Sequence, residues 1–212
     1  MMLKNKNNLM IRFIRSMVRP MKHAVLVFVI LLPATVLLPV SAATEKTRSE
    51  TGKKDGTVSV SNTTLSFKMV PRTPDQMAAF YEGRGFPAKV TSVFNEVCFF
   101  TVIVKNLSRD IVWLEPASWQ IKRESGANIK RLGQQYWRQR WSQLDLPKNN
   151  QATFRWTLLP TSRDLRPDEG VGGNLVLAAT SGNIMVTPVF RLGAEGQSRL
   201  KLATQTIRCG GR

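Results

Sequence analysis

Val97-Cys98-Phe99-Phe100-Thr101-Val102-Ile103-Val104-Lys105 is the longest run in the chain that combines β-branched and aromatic residues without Gly or Pro, so it reads as a strand. Side chains alternate across a strand. Cys98, Phe100, Val102 and Val104 therefore share one face, and Val97, Phe99, Thr101 and Ile103 share the other. Both faces are mostly apolar, whereas a sheet with one wet face would alternate apolar with polar residues. The pattern predicts a strand in the middle of the fold, covered on both sides.

On the N-terminal side of this strand, two helices are expected. Thr73-Pro74-Asp75-Gln76 has capping-box spacing, with Pro at the first helical position and an acid in the first turn; Met77, Phe80 and Tyr81 follow, and Gly83 suits the stop. Pro87 begins a second helix in which Val90, Val93, Phe94 and Val97 recur at helical spacing. These helices are candidates to cover one apolar face of the strand. Before them, Thr57 to Val60 and Leu65 to Val70 alternate as the first strands.

Beyond the polar loop at Asn106 to Asp110, Ile111 to Leu114 and Trp119 to Lys122 form one strand bent at Pro116, with Ile129 to Leu132 continuing the hairpin. Gln134 to Gln143 is ambiguous. Ala152 to Leu159 alternates Phe154, Trp156 and Leu158 against Thr153, Arg155 and Thr157, which predicts a half-exposed strand. Thr161 to Gly173 reads as a long loop, with Gly170-Val171-Gly172-Gly173 as a turn. Asn174 to Thr180 and Ile184 to Leu192 flank Ser181-Gly182-Asn183 as a hairpin, and Arg199 to Ile207 is a last strand. Seven or eight short strands with one small helical insertion make the chain mainly β, an antiparallel β-sandwich over residues 57–212.

The N-terminal segment stands apart. Lys4, Lys6, Arg12, Arg15, Arg19 and Lys22 precede an uncharged apolar run from Ala24 to Val40, followed by Ser41-Ala42-Ala43. A basic region, an apolar region and small residues at the cleavage position make residues 1–42 a signal peptide, a signal helix that exports the domain to the periplasm or the medium. An uncleaved membrane anchor is the competing reading, interrupted by Pro33 and Pro39. Residues 43–56, highly charged and without apolar periodicity, read as a flexible linker. Residues 1–42 hold six of the 31 Lys and Arg and none of the 14 Asp and Glu, so the remainder carries a formal net charge of +11. Outside an inner membrane, the polyanions that meet such a surface are lipid head groups, anionic glycans and acidic envelope proteins, and nucleic acid is not expected. A merely solubilising basic surface is the plainer alternative.

The two cysteines, Cys98 and Cys209, both follow the export signal, so a disulfide tying the central strand to the chain end is expected. A reactive thiol would need a partner base, and the one histidine, His23, lies in the signal region.

Val102-Ile103-Val104-Lys105-Asn106, Ile111-Val112-Trp113-Leu114 and Phe154-Arg155-Trp156 in succession resemble bacterial exported domains of immunoglobulin-like fold. The wider run from Pro74-Asp75-Gln76-Met77-Ala78-Ala79-Phe80-Tyr81 through Cys98 is similar to uncharacterised secreted proteobacterial proteins, and the likeness spans Leu65 to Leu192. It departs from antibody-type domains, since Cys209 lies in the tail with no Tyr two residues before it. The resemblance implies an immunoglobulin-like sandwich and supplies no catalytic residues.

Chemistry-bearing motifs are few. With no histidine after residue 42, zinc and copper lack their usual ligands; Met69, Met77 and Met185 fit core positions better than copper(I) ligation. Asp164, Asp168 and Glu169 miss the spacing of a calcium loop, so no metal or cofactor is expected. No nucleophile-elbow pattern occurs, and nothing in the sequence selects a carboxylate pair for glycoside chemistry. Tyr136-Trp137-Arg138-Gln139-Arg140-Trp141 is the exception: aromatic rings beside guanidinium groups suit sugars or anionic partners, and Lys130 and Arg131, with Lys122 and Arg123, could extend a basic patch. Equally, Trp137 and Trp141 could fall on the buried side of a helical turn. The expected function is a non-enzymatic exported envelope module that binds a protein, glycan or lipid head group. The alternative is a carboxylate-dependent enzyme acting on an envelope glycan.

Overall fold

Cys98–Asn106 is a strand, as its composition predicts, with Val97 closing the turn that leads into it. The computed structural model describes residues 48–51, 56–178 and 181–211. The expected signal peptide at 1–42 and most of the expected linker lie outside the described residues. The first half of the domain contains β1 (Arg48–Thr51), β2 (Val58–Ser61), β3 (Leu65–Arg72), α1 (Pro74–Glu82), α2 (Ala88–Thr91) continuing into a 3-10 turn over Ser92–Glu96, β4 (Cys98–Asn106), β5 (Val112–Leu114) and β6 (Gln120–Arg123). The second half contains α3 (Gln134–Gln143), α4 (Lys148–Thr157), β7 (Arg163–Leu165), β8 (Gly170–Leu177), β9 (Asn183–Thr187), β10 (Val189–Leu192), β11 (Ser198–Lys201) and β12 (Gln205–Arg208).

The described residues are mainly β with four helices, and their sheets are antiparallel. One sheet has the order β1-β2-β3-β4-β8, a second β11-β10-β5-β7, and a third β12-β9-β6. Strand β1 falls within the segment read as a linker: it pairs with β2, Thr51 opposite Val58. Two features expected to be local are instead distributed between sheets. β5 and β6, read as one bent strand, belong to different sheets, so the 3-10 turn at Pro116–Ser118 carries the chain from one to the other. β8 and β9, read as a hairpin around Gly182, do not pair; β8 borders β4, whereas β9 lies between β12 and β6. The expected last strand is two, β11 and β12, again in different sheets.

All three sheets contribute to one hydrophobic core. Val58, Val60, Leu65, Phe67, Met69, Phe100, Val102 and Val104 from the first sheet meet Val112, Leu114, Leu165 and Phe190 from the second and Ile121, Ile184, Val186 and Ile207 from the third. Phe67 lies edge-on to both Trp119 and Phe190, with centroids 5.6 and 6.5 Å away. Cys98 on this face is bonded to Cys209, with Cα atoms 5.3 Å apart, so the disulfide read from the sequence is present.

The opposite face of the first sheet carries a second core built by the helices. Tyr81, Phe86, Phe94, Phe99, Trp137, Trp141 and Phe154 form a continuous set of ring contacts, joined by Val90, Val93, Val97 and Val176. Full burial of one such ring contributes roughly 1.5–3 kcal/mol, so the helical part is a structural layer larger than the small insertion expected. Its reach along β4 is limited: Phe99 is buried, Thr101 is half-buried and Ile103 is 46% exposed. The central strand is thus covered on both sides only at its start. At Thr101 the hydroxyl accepts from Arg72 Nε at 2.9 Å and donates to Asn174 Oδ1 at 3.2 Å, a polar patch in place of the apolar cover predicted.

Two further segments differ from expectation for clear reasons. Lys148–Thr157 is a helix, so the strand predicted over Ala152 to Leu159, and with it Phe154-Arg155-Trp156 of the resemblance, is not extended. Asn150 and Phe154, four apart, are its buried residues, and Asn150 Nδ2 donates to Gly85 O at 3.1 Å, anchoring the helix to the exit of α1. Gly170-Val171-Gly172-Gly173, expected to be a turn, pairs with Val102 to Lys105 as part of β8. A Cβ on Gly173 would stand 2.6 Å from Leu159 N, so the glycine admits the chain leaving α4 alongside β8, where Leu159 N–H donates to Asn174 O at 3.0 Å.

Candidate functional site

Gln134–Gln143 contains Gln and Arg but no β-branched residue, Gly or Pro, and folds as α3. Trp137 and Trp141 fall four apart on one face and are each 1% exposed. Asp145, at φ 50°, sits between α3 and α4, and Leu146 N–H donates to Trp141 O at 3.0 Å, which turns the chain back so that α4 runs beside α3. Between the two helices lies a groove of about 360 Å³.

Its apolar floor is made by Trp137, Trp141, Phe154 and Leu158, and its polar residues are Gln134, Gln151, Arg138, Lys148 and Arg155. Gln151 is held by a 2.7 Å bond from Nε2 to Leu146 O. All three cations are exposed, and none of the lining residues is an Asp or Glu. Neither α3 nor α4 contains an acidic residue. Trp137 Nε1 donates to Leu132 O at 3.1 Å. Trp141 Nε1, fully buried at the same groove, meets no acceptor. A donor without a partner in an apolar setting is costly to the fold. The arrangement suits an anion with an apolar body; sugar stacking does not fit, because neither indole presents a free ring face.

The structure brings together three of the residues singled out in the sequence, Trp137, Arg138 and Trp141, and not the others. Tyr136 packs edge-on against Trp137, with centroids 5.2 Å apart, and is half-buried. Arg140 turns away to pair with Glu96 at 3.0 Å. Lys130 and Arg131 do not line the groove: Lys130 O accepts from Ala178 N–H beyond the end of β8, and Arg131 bridges to Leu177. Burial pushes the Arg131 guanidinium pKa below its usual value. The sequence reading missed Lys148, Gln151 and Arg155, whose spacing over eight residues is a helical signal hidden by the alternation from Phe154 to Leu158.

A second groove, of about 570 Å³, is lined by Arg72, Gln76, Met77, Phe80, Thr101, Thr157 and Gly172 to Asn174. Beside it Tyr81 OH and Thr157 Oγ1 share a 2.5 Å hydrogen bond. Burial pushes the Tyr81 phenol up to about 12, opposed in part by that bond. Among the described residues, no three His, Cys, Asp or Glu side chains gather where they could hold a metal ion.

No protein-family model matches the chain, and no curated protein matches it.

Proposed function

We propose that this chain is a non-enzymatic exported binding module, an immunoglobulin-like sandwich carrying a helical layer, which takes an anionic envelope partner into the groove between α3 and α4. The observation that carries the reading is the groove itself: Arg138, Lys148 and Arg155 stand around an indole floor with no carboxylate among the lining residues. Carboxylate-dependent glycoside chemistry needs a pair of acids at the substrate, so the groove's composition favours binding over that alternative. Export rests on the sequence of residues 1–42 and agrees with the Cys98–Cys209 bond, since disulfides persist in oxidising compartments. The sandwich reading is supported by three antiparallel sheets sharing one core.

The test places a photo-crosslinking residue at Ala152, inside the groove, and compares the chain with its Arg138→Gln/Arg155→Gln variant in intact cells. Capture of one anionic envelope component that the double variant loses supports the reading. Equal capture by both proteins sinks it. N-terminal sequencing of the recovered protein checks export, with a start at Ala43 or Thr44 expected. Turnover of purified envelope glycan by the protein would refute the non-enzymatic part.

A further inference from the structure

The largest apolar side chain on the described surface is Trp156, which is 81% exposed. The other four tryptophans are held: Trp119, Trp137 and Trp141 are buried, and half-buried Trp113 donates its indole N–H to Gly193 O at 2.8 Å. Trp156 lies in the last turn of α4, next to Arg155 and two helical turns from Lys148. It is not among the residues lining the groove, so its exposure is a separate feature from that cavity. Lys148, Asn149 and Arg155 are the other exposed residues of α4, and Arg138 faces them across the groove.

This composition distinguishes between occupants. The centre of a protein interface is rich in apolar neighbours and depleted in charge, and a hot-spot tryptophan sits among them. An indole on a helix whose other exposed residues are Lys148, Asn149 and Arg155, with no acid within α3 or α4, has instead the make-up of a bilayer-surface anchor: the amphipathic ring settles at head-group depth while Lys and Arg meet lipid phosphates. The +11 excess beyond residue 42 adds a long-range attraction of the same sign.

We propose that the outer face of α4 docks on an anionic lipid bilayer, with Trp156 entering the head-group region and Arg155, Lys148 and Arg138 on phosphate groups. The proposal stands whether or not the groove takes a ligand. All five tryptophans lie beyond residue 112, so indole fluorescence reports the same surface with or without the first 42 residues, and any binding through those residues is common to the wild type and the variants below.

The test mixes the full chain with vesicles of phosphatidylglycerol and phosphatidylcholine, or of phosphatidylcholine alone, and follows indole emission, quenching by brominated lipid and co-sedimentation. On anionic vesicles the emission should shift to the blue and be quenched. Trp156→Ala should abolish both signals and weaken the anionic-vesicle component of binding roughly tenfold or more, and Lys148→Gln/Arg155→Gln should weaken it by about the same factor, with added salt acting likewise. Circular dichroism checks that these surface variants fold. Unaltered emission on anionic vesicles, equal effects with phosphatidylcholine alone, or undiminished binding by Trp156→Ala would each overturn the proposal. Equal groove crosslinking by the chain and its Arg138→Gln/Arg155→Gln variant, with vesicle binding intact, would refute the groove reading only.

Discussion

Trp137 and Trp141 stack one helical turn apart, with ring centroids 4.8 Å apart and planes inclined by 25°, yet only Trp137 places its indole N–H on an acceptor. Replacing either with Ala should cost about 3–5 kcal/mol, since each fills the centre of the helical core. The Phe variants should separate them. Trp137→Phe leaves Leu132 O without its donor and should be less stable than Trp141→Phe, which removes an unpartnered donor, by about 1–2 kcal/mol. Urea unfolding midpoints measure the difference; equal losses would show that the hydrogen bond contributes nothing.

The disulfide closes a sequence separation of 111 residues between a buried strand position and the chain end. Chain entropy assigns such a loop about 4–5 kcal/mol. Reduction, or Cys98→Ala with Cys209→Ala, should lower the melting temperature by about 10 °C or more. Thiol titration of the unfolded, unreduced protein should detect none, and two reactive thiols would contradict the bond.

Asn106 is a fully buried amide at the end of β4. Its Nδ2 donates to Asp110 O and Leu165 O at 2.7 and 2.9 Å, and its Oδ1 accepts from Ser108 N and Oγ at 2.9 and 2.8 Å. Asn106→Leu should cost about 2–4 kcal/mol by leaving these groups unpaired. Asn106→Asp should cost more at neutral pH, because a carboxylate would face two carbonyls. That excess should shrink as acidification restores a proton, a convergence that denaturation at a series of pH values would reveal or deny.

Tyr81 gives the domain an alkaline limit. Its pKa is pushed up to about 12 by burial, whereas in the unfolded chain the phenol ionises near 10. Folding therefore favours the proton-bound form. The stabilisation is complete below pH 10 and is lost as pH rises through the interval up to about 12. Tyr81→Phe should be less steeply destabilised than the wild type over that interval. Parallel curves would show that Tyr81 titrates normally.

Features whose cause is local were legible in the sequence. The strand from Cys98 needs only its β-branched and aromatic run, and α1 needs only the Thr73–Gln76 capping box, whose two reciprocal bonds are present at 3.1 and 3.2 Å. The misreadings come where partners are distant. Phe154, Trp156 and Leu158 alternate as a strand would, but contacts from Asn150 and Phe154 to other segments select the helix, which buries Phe154 and exposes Trp156. Gly182 marks a turn without saying which strands will pair beside it. Only part of the α3 side of the groove was accordingly visible, Trp137, Arg138 and Trp141, while Lys148, Gln151 and Arg155 become neighbours only once α4 is helical.

Phe99 and Phe100 on β4, and Leu175 and Val176 on β8, are adjacent in the chain but belong to opposite cores. The two strands are a party wall between rooms that cannot be demolished one at a time: a register slip that frees one lining also strips the other. Heating or denaturant should therefore meet a single all-or-none transition, and the amides of β4 and β8 should be the last in the domain to exchange with solvent.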